Sequence, residues 1–273
     1  MKVELHCHSH YSVRNIIHCE GLNSPAELIR SAKRMGLGGI AITDHKVTDG
    51  WPSAAREAKK QGIVFIPGME IETMEGHVIG LGLNQPVRNY LSVRETIDRI
   101  HKQGGLAVAP HPYDVMGEGI GDSMKHADLA EVFSSLNIEV SNHIARVRAK
   151  NLGKPFCVGS DAHTLDMVGL SQNIVEADDL DSVLRQLKLG KASFKTEYVP
   201  PKLLVRWVRE RFARSYGNIV TYINSNYSYP RASISKFLLD RFVYSDNRIW
   251  NWIAQFSMDM TRMYGFVTMV KYY

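Results

Sequence analysis

The chain has 273 residues, of which 44% are hydrophobic, 22% charged and 9% aromatic. This composition is typical of a globular protein and excludes a disordered, collagen-like or coiled-coil chain. No run of about 18 apolar residues occurs, so no transmembrane helix is predicted. The polar start of the chain and the odd number of cysteines, three, argue against a signal peptide and a disulfide framework. We therefore expect a cytoplasmic protein.

Charged and aromatic residues are unevenly distributed along the chain. The net charge is +5, yet residues 200–273 contain 11 Lys and Arg against four Asp and Glu, and 16 of the 25 aromatic residues. All 11 histidines lie between His6 and His163. Pro200-Pro201 marks a break between these two regions. The sequence thus predicts two domains, a histidine-rich body over residues 1–199 and a basic, aromatic segment over residues 200–273.

Short apolar runs alternate with helical patterns through the body. Strands are predicted over residues 3–7, 39–43, 63–66, 69–71, 77–83, 106–109, 137–140, 156–158 and 173–175. Helices are predicted over residues 25–35, 54–60, 93–103, 144–152 and 179–189. About seven strand–helix repeats in this length indicate an α/β fold with a closed or nearly closed parallel barrel. A doubly wound open sheet is the alternative, although no G-x-G-x-x-G loop follows the first strand.

Most of the predicted strands carry a metal-competent residue at one end. These residues are His6, His8, Asp44, His45, Glu70, His77, His111, Glu139, Asp161 and His163. The strand C-termini of a parallel barrel open on one face, so we expect these side chains to converge there. Residues two apart on an extended segment point the same way, so each of the pairs His6/His8 and Asp161/His163 can bind one ion.

The residue types indicate which metal ions this face would bind. Imidazole and carboxylate ligands suit Zn, Mn and Fe, and the absence of a cysteine pair argues against a structural thiolate zinc site. Cys7 points away from its histidine neighbours and is assigned to the core. About eight ligands are too many for one tetrahedral ion. We therefore expect two or three divalent ions, with Glu70 as the bridging carboxylate.

The ordered motifs resemble those of the PHP (polymerase and histidinol phosphatase) superfamily. They are H-x-H at His6 and His8, T-D-H at residues 43–45, G-x-E at Gly68 and Glu70, H-x-x-G-L from His77, H-P at His111, and S-D-A-H at residues 160–163. The resemblance covers roughly residues 1–195. It implies a distorted (β/α)7 TIM-like barrel, a two- or three-metal site and hydrolysis of phosphate esters.

The resemblance also implies an assignment of ligands to three sites. His6, His8, Glu70 and Asp161 would hold one ion, and Glu70, His77 and His111 a second. His45 and His163 would help to hold a third, which the family completes with an Asp or His five or six residues after the second His. Val13 and Arg14 occupy those positions here. His10, His18 and Glu20 remain open as substitutes.

Further residues are candidates for catalysis and substrate binding. Asp161, His163 and His45 are the predicted catalytic residues, and either histidine could protonate the leaving oxygen if the third site is empty. Arg14, Lys46, Arg146 and Asn142 are the predicted substrate-binding residues, the three cations as phosphate clamps. Asp44 is expected to orient a ligand. Glu139 and Asn142 could equally have structural roles.

The segment after residue 200 has apolar residues at helical spacing over residues 203–212, 234–242 and 249–256, with Gly217 as a stop. Three or so amphipathic helices are predicted. They could pack on the barrel or form a homo-oligomer. Their basic and aromatic residues could instead bind nucleic acid or a membrane surface.

The leading prediction is a metal-dependent phosphoesterase, either a phosphatase or a phosphodiesterase. Its substrate would be a nucleotide, an oligonucleotide end or a small phosphomonoester. The alternative is a non-catalytic metal-binding module that acts as a scaffold or binds nucleic acid, against which the presence of both Asp161 and His163 argues. A related metal-dependent amidohydrolase is a third candidate, but the chain lacks a lysine ligand at a mid-barrel strand end.

Overall fold

The computed structural model describes residues 1–12, 17, 19–245 and 249–269. Nine strands occur in these residues: β1 Lys2–Glu4, β2 Gly39–Ile42, β3 Val64–Glu72, β4 His77–Leu81, β5 Leu106–Ala109, β6 Leu129–Ser134, β7 Phe156–Gly159, β8 Gln172–Ile174 and β9 Ser193–Lys195. The helices there are α1 Pro25–Arg34, α2 Trp51–Gln61, α3 Val93–His101, α4 Glu139–Asn151, α5 Leu180–Lys188, α6 Pro201–Arg214, α7 Tyr216–Asn226, α8 Arg231–Tyr244 and α9 Ile249–Met269. This confirms the predicted α/β fold.

The strands form one sheet in the order β7-β6-β5-β4-β3-β2-β1-β8-β9. Strands β1 to β3 are parallel, as are β5 to β7, but β4 runs antiparallel to both of its neighbours. The ring nearly closes where the chain after β1 meets the chain after β7, because the His8 amide donates to the Ala162 carbonyl at 2.8 Å. The reversed β4 is the distortion that separates this sheet from a regular TIM-like barrel.

The barrel interior is filled by apolar side chains from every strand from β1 to β7, and α5 covers it at one end. These side chains are Val3, Ala41, Ile66, Ile79, Leu81, Leu106, Val108, Leu129 and Cys157, with Val183 and Leu187 from α5. Because this interior is packed with hydrocarbon, the polar residues of the strand ends are left at the opposite end. That end is where the candidate site forms.

Local signals fix the helices that surround the barrel. Ser24 caps α1 through a reciprocal capping box with Glu27, and Ser92 caps α3 by accepting from the Glu95 amide. Asp179 caps α5 in the same way. These caps set where the crossover helices begin, and so they set how the chain returns to the next strand.

Four sequence expectations differ from the structure. The predicted strand 137–140 is wrong, because α4 begins at Glu139 and the strand of this repeat is β6 at Leu129–Ser134. The predicted strands 63–66 and 69–71 are one continuous strand, β3. Gly217 does not stop the helical segment but lies in α7, which the sequence did not predict. The helices after residue 200 therefore number four in the described residues.

The C-terminal helices pack on the barrel and on one another. Trp207 of α6 is buried in the apolar cluster that includes α1 and α2 residues such as Leu28 and Ala54. Helix α9 lies against α4 and α6, and Arg262 pairs with Glu139 at 3.2 Å. Within the part of the chain that the structure covers, none of the helices combines the length and hydropathy needed to cross a membrane. The division into two domains at residue 200 stays a prediction.

Candidate metal centre

The eight predicted metal ligands converge in one buried cluster at the strand ends. His6 and His8 follow β1, His45 follows β2, His111 follows β5, and Asp161 and His163 follow β7, while Glu70 lies in β3. His77 begins β4, whose reversed direction brings its start beside the end of β3. Each of these eight residues is at most 8% exposed. The cluster therefore depends on residues more than 150 positions apart being held by one sheet.

Four ligand atoms form a compact set at the centre of the cluster: His6 Nε2, His8 Nε2, Glu70 Oε2 and Asp161 Oδ1. Five of their six separations are 3.1, 3.3, 3.5, 3.2 and 3.1 Å. Separations of this size are those between neighbouring ligands of an ion that keeps about 2.0 Å to each nitrogen or oxygen, as Zn²⁺ does. The His6, His8 and Asp161 atoms lie close enough together to hold one divalent ion, with Glu70 beside the two histidines.

Glu70 presents its two carboxylate oxygens to different groups of imidazoles. Oε1 lies 3.0 Å from His77 Nδ1 and 3.3 Å from His111 Nε2. Oε2 faces His6 and His8 and lies 3.4 Å from His45 Nε2. Burial alone would raise the pKa of Glu70, but the surrounding imidazoles hold it well below its usual range. This carboxylate is placed to be shared between two ions.

A third set of ligand atoms contains a residue that the sequence left undecided. Glu20 is 4% exposed, with Oε2 3.3 Å from His45 Nε2 and Oε1 3.7 Å from His163 Nε2. Val13, Arg14 and His18 lie outside the described residues. His10 is exposed, which leaves Glu20 as the carboxylate facing this pair of imidazoles among the residues described.

Helix α6 fixes the backbone on both sides of the Glu20 carboxylate. The Trp207 indole Nε1 donates to the Glu20 carbonyl at 2.9 Å, and its ring lies 4.4 Å from the His163 ring. Arg211 Nε donates to the Cys19 carbonyl at 3.1 Å, and its guanidinium lies 3.9 Å from Glu20 Oε1. The basic C-terminal segment thus contributes directly to the geometry of the cluster.

A second buried carboxylate that the sequence did not predict, Glu131 of β6, orients the ligands. Its Oε1 lies 3.1 Å from His6 Nδ1, and its Oε2 accepts from the His111 amide at 2.8 Å. A carboxylate on Nδ1 leaves Nε2 of the same imidazole facing the cluster. Asp44 accepts from the Ser9 amide at 2.5 Å and from the Ser9 hydroxyl at 2.7 Å, next to His8 in the chain, and its role in orienting a ligand stays a prediction.

Glu4 ties the two ends of the barrel ring together. It is fully buried and accepts from the amides of Ser160 and Gly169 at 3.0 Å each and from that of His6 at 3.2 Å. Burial raises the pKa of Glu4 to about 7, although these hydrogen bonds oppose the rise. The loop that it holds leads into Asp161, whose φ of 50° is unusual for a residue with a side chain. His111 has a φ of 26°. Such backbone strain is common at functional sites.

The pKa of His45 bears on its predicted part in proton transfer. Burial lowers this pKa to about 3. The imidazole is therefore neutral at neutral pH and suits a metal ligand better than a proton donor. His163 makes a 2.8 Å contact from Nδ1 to the Asp161 carbonyl, which turns its Nε2 toward Glu20. Both catalytic assignments stay predictions.

The predicted substrate-binding residues do not form one group. Lys46 pairs with Glu72 at 2.8 Å beside the cluster. Arg146 is exposed on α4, whereas Asn142 is buried there and uses its amide to bond both the amide and the carbonyl of Ser134, at 3.1 Å each. This arrangement gives Asn142 a structural role in joining α4 to β6. Arg14 lies outside the described residues.

Comparison with family models gives a match to the PHP domain over residues 4–267. An uncharacterized protein of Methanocaldococcus jannaschii is 36% identical over 167 residues, which span 58% of this chain and 98% of the relative. A 5′-3′ exoribonuclease of Haemophilus influenzae is 38% identical over 88 residues. A 3′,5′-nucleoside bisphosphate phosphatase of Chromobacterium violaceum is 34% identical over 86 residues. The chain matches only 30% and 28% of these last two proteins.

Solved structures show the same fold. One is a two-domain protein of Bacteroides vulgatus described as containing a predicted PHP-like metal-dependent phosphoesterase; it has a TM-score of 0.58 and 18% identity, over 76% of this chain and 68% of that one. Another is a protein of Bifidobacterium adolescentis described as a putative metal-dependent phosphoesterase, with a TM-score of 0.51 and 18% identity, over 69% of this chain and 96% of that one. At this identity the likeness concerns the fold alone.

Proposed function

Because the chain belongs to the PHP domain family, we propose that it is a metal-dependent hydrolase of phosphate esters. The observation that carries the proposal is the convergence of six nearly buried imidazoles with the carboxylates of Glu20, Glu70 and Asp161 in one cluster. Two relatives matched over part of their length, a phosphatase and an exoribonuclease, both act on phosphate esters by name. The proposal is limited to this reaction class, and it includes both monoesters and diesters.

We assign the ligands to three positions. His6, His8, Glu70 and Asp161 would hold the first ion, and Glu70, His77 and His111 the second. Glu20, His45 and His163 would hold the third, so that Glu20 takes the place for which Val13 and Arg14 are unsuited. The short separations within each set support this assignment. Zn, Mn and Fe all suit these ligand types.

When bound, the ions would lower the pKa of a water molecule and stabilise negative charge on the phosphoryl oxygens. The chain's own residues would prepare the site. Glu131 holds the His6 ring by its Nδ1 atom, and Glu4 holds the loop that carries Asp161. A cavity of about 220 Å³ has His111 and Asp161 in its wall, and it is the place where a phosphate group would reach the cluster.

Hydrolysis of two chromogenic esters tests the proposal. Protein stripped with a chelator is assayed on p-nitrophenyl phosphate and bis-p-nitrophenyl phosphate, without metal and with Mn, Zn or Fe restored. We expect turnover only with metal, and the ratio of the two rates separates a phosphatase from a phosphodiesterase. Full ion binding without turnover of either ester would favour the non-catalytic scaffold.

A single substitution links the activity to the cluster. Asp161→Asn is expected to abolish turnover, and asparagine tolerates the positive φ found there. Asp166→Asn is the matched control, because Asp166 lies in the same region, pairs with Arg206 and is exposed. Equal turnover in both variants would contradict the assigned site.

A further inference from the structure

A second, larger cavity lies between the barrel and the C-terminal helices. Its volume is about 680 Å³, which falls in the range of small-molecule sites. Helices α6, α8 and α9 form much of its wall, and the loop after β6, the start of α4 and residues 198–200 contribute the rest. Glu139, a candidate from the sequence, lies in this wall, but the proposed reaction assigns a role neither to Glu139 nor to the cavity.

This cavity adjoins the smaller cavity beside the metal centre. The smaller cavity, which has His111 and Asp161 in its wall, shares Leu136, Asn137, Ile138 and Thr261 with the larger one. A molecule whose phosphate lies at the cluster would reach the larger space past these shared residues. The two cavities would then serve as one elongated site, with a charged end at the cluster and an apolar end between the helices.

The wall of the larger cavity is mostly hydrocarbon, and Leu204, Phe212, Phe242 and Trp250 are representative of it. Its two charged side chains, Glu139 and Arg262, pair with each other at 3.2 Å. Among its polar side chains, Ser135 Oγ contacts Ser171 Oγ at 2.7 Å, and Thr261 Oγ1 donates to a backbone carbonyl at 2.9 Å.

The Asn137 side chain, also in this wall, accepts from the Ile138 amide at 2.9 Å. A nucleobase placed against the hydrocarbon part of this wall would lose its hydrogen bonds to water without replacing them, which is unfavourable. An aliphatic group loses no hydrogen bonds and gains from burial.

On this basis, and resting on the proposed function, we propose that the larger cavity binds the hydrocarbon part of the substrate. The preferred substrate is then an amphipathic phosphate ester, with its phosphate at the metal centre and an aliphatic chain in the cavity. This substrate class differs from the nucleotide and the oligonucleotide end that the sequence left open and is closer to its third alternative, a small phosphomonoester. It also gives α6, α8 and α9 a part in substrate selection.

Binding of alkylphosphonates tests this proposal without any need for turnover. Butyl-, hexyl- and octylphosphonate are titrated into the manganese-loaded full chain by calorimetry, with adenosine 5′-monophosphate for comparison. Each added methylene should tighten binding by about fourfold until the cavity is filled. The same Kd for all three, no binding, or adenosine 5′-monophosphate binding as tightly as octylphosphonate would overturn the proposal.

A pair of substitutions on α9 locates the effect. Met258 lines the cavity, so Met258→Glu should remove the gain with chain length, whereas Met258→Leu should keep it. Met263 lies on the same helix, is 63% exposed and lies outside the cavity wall, so Met263→Glu should behave like the unmodified protein. If both variants are folded and their affinities rise equally with the length of the alkyl chain, the alkyl chain binds outside this cavity.

The hydrolysis of the corresponding alkyl phosphates separates the two proposals. Chain-dependent binding of the phosphonates with no hydrolysis of any ester means that the proposed reaction is wrong and the cavity assignment stands. Hydrolysis at rates that do not depend on the length of the alkyl chain means that the proposed reaction stands and the cavity assignment is wrong.

Discussion

Replacing Glu20 with glutamine removes one carboxylate from the metal cluster and leaves the side-chain size unchanged. Glu20 Oε2 lies 3.3 Å from His45 Nε2, and Oε1 lies 3.7 Å from His163 Nε2. An ion held by these imidazoles is therefore close to the carboxylate. At about 4 Å and an effective dielectric constant of about 20, one pair of unit charges contributes about 4 kcal/mol. This corresponds to roughly a thousandfold in affinity for the third ion.

The assay for this prediction is metal content. Stripped protein is dialysed against buffered micromolar Mn²⁺ and analysed by mass spectrometry, and we expect Glu20→Gln to retain one ion per chain fewer than the unmodified protein. Glu210→Gln is the control, because Glu210 lies nearby on α6 but pairs with Arg214 at 2.6 Å. The reasoning fails if Glu20→Gln and Glu210→Gln hold the same number of ions with the same affinity.

Three more predictions follow from the same contacts. Burial would lower the pKa of His8, but hydrogen bonds to carboxylates raise it to about 9, so an ion that binds below that pH displaces a proton. The apparent affinity for the metal ion should therefore fall by up to about tenfold per pH unit as the pH drops below 9. Calorimetry in two buffers measures the proton release, and an affinity that does not change with pH would contradict this prediction. Trp207→Phe leaves a buried carbonyl without its donor and should cost about 1–3 kcal/mol in urea unfolding, whereas Trp252→Phe, at a 77% exposed position, should cost nothing measurable. An added Cβ at Gly159 would overlap Glu131 and lie 2.6 Å from the Cβ of His6. Gly159→Ala should therefore lower the free energy of unfolding by about 1–3 kcal/mol and weaken metal binding. A variant that unfolds and binds ions like the unmodified protein would refute this.

The convergence of the ligands could be predicted because it depends on strand direction alone. Parallel strands end on the same face, and alternation sends His6 and His8 to the same side. The motifs indicate the remaining ligands, and Glu70, the expected bridging carboxylate, presents its two oxygens to different imidazoles. Local pattern was sufficient here because each ligand lies in a strand or within four residues of one.

Glu131 shows where local pattern was insufficient. The segment around it contains Ala130, a weak strand former, and the buried charge interrupts its apolar run. The apolar residues Ile138 and Val140 looked more like a strand, although Ile138 precedes the first turn of α4. A charged residue in a buried strand is stabilised only by its partners, His6 and the His111 amide, and these are distant in sequence.

Glu20 could not be assigned from the sequence for a related reason. Seven residues separate it from Ser12, and its position depends on contacts with α6 rather than on a strand. Helix α7 was missed because Gly217 and several Asn, Ser and Tyr residues have weak helix propensity. Its packing against α8 compensates for that weakness.

The contacts between α6 and the segment before α1 have a consequence for the order in which the protein assembles. Trp207 and Glu20 are 187 residues apart, and Arg211 and Cys19 are 192 apart. During synthesis the N-terminal histidines emerge long before the helix that fixes Glu20. A nascent barrel therefore has the side chains that we assign to the first two ions while the carboxylate that we assign to the third is still unanchored. The third of the proposed sites would form only after α6 has packed against this segment.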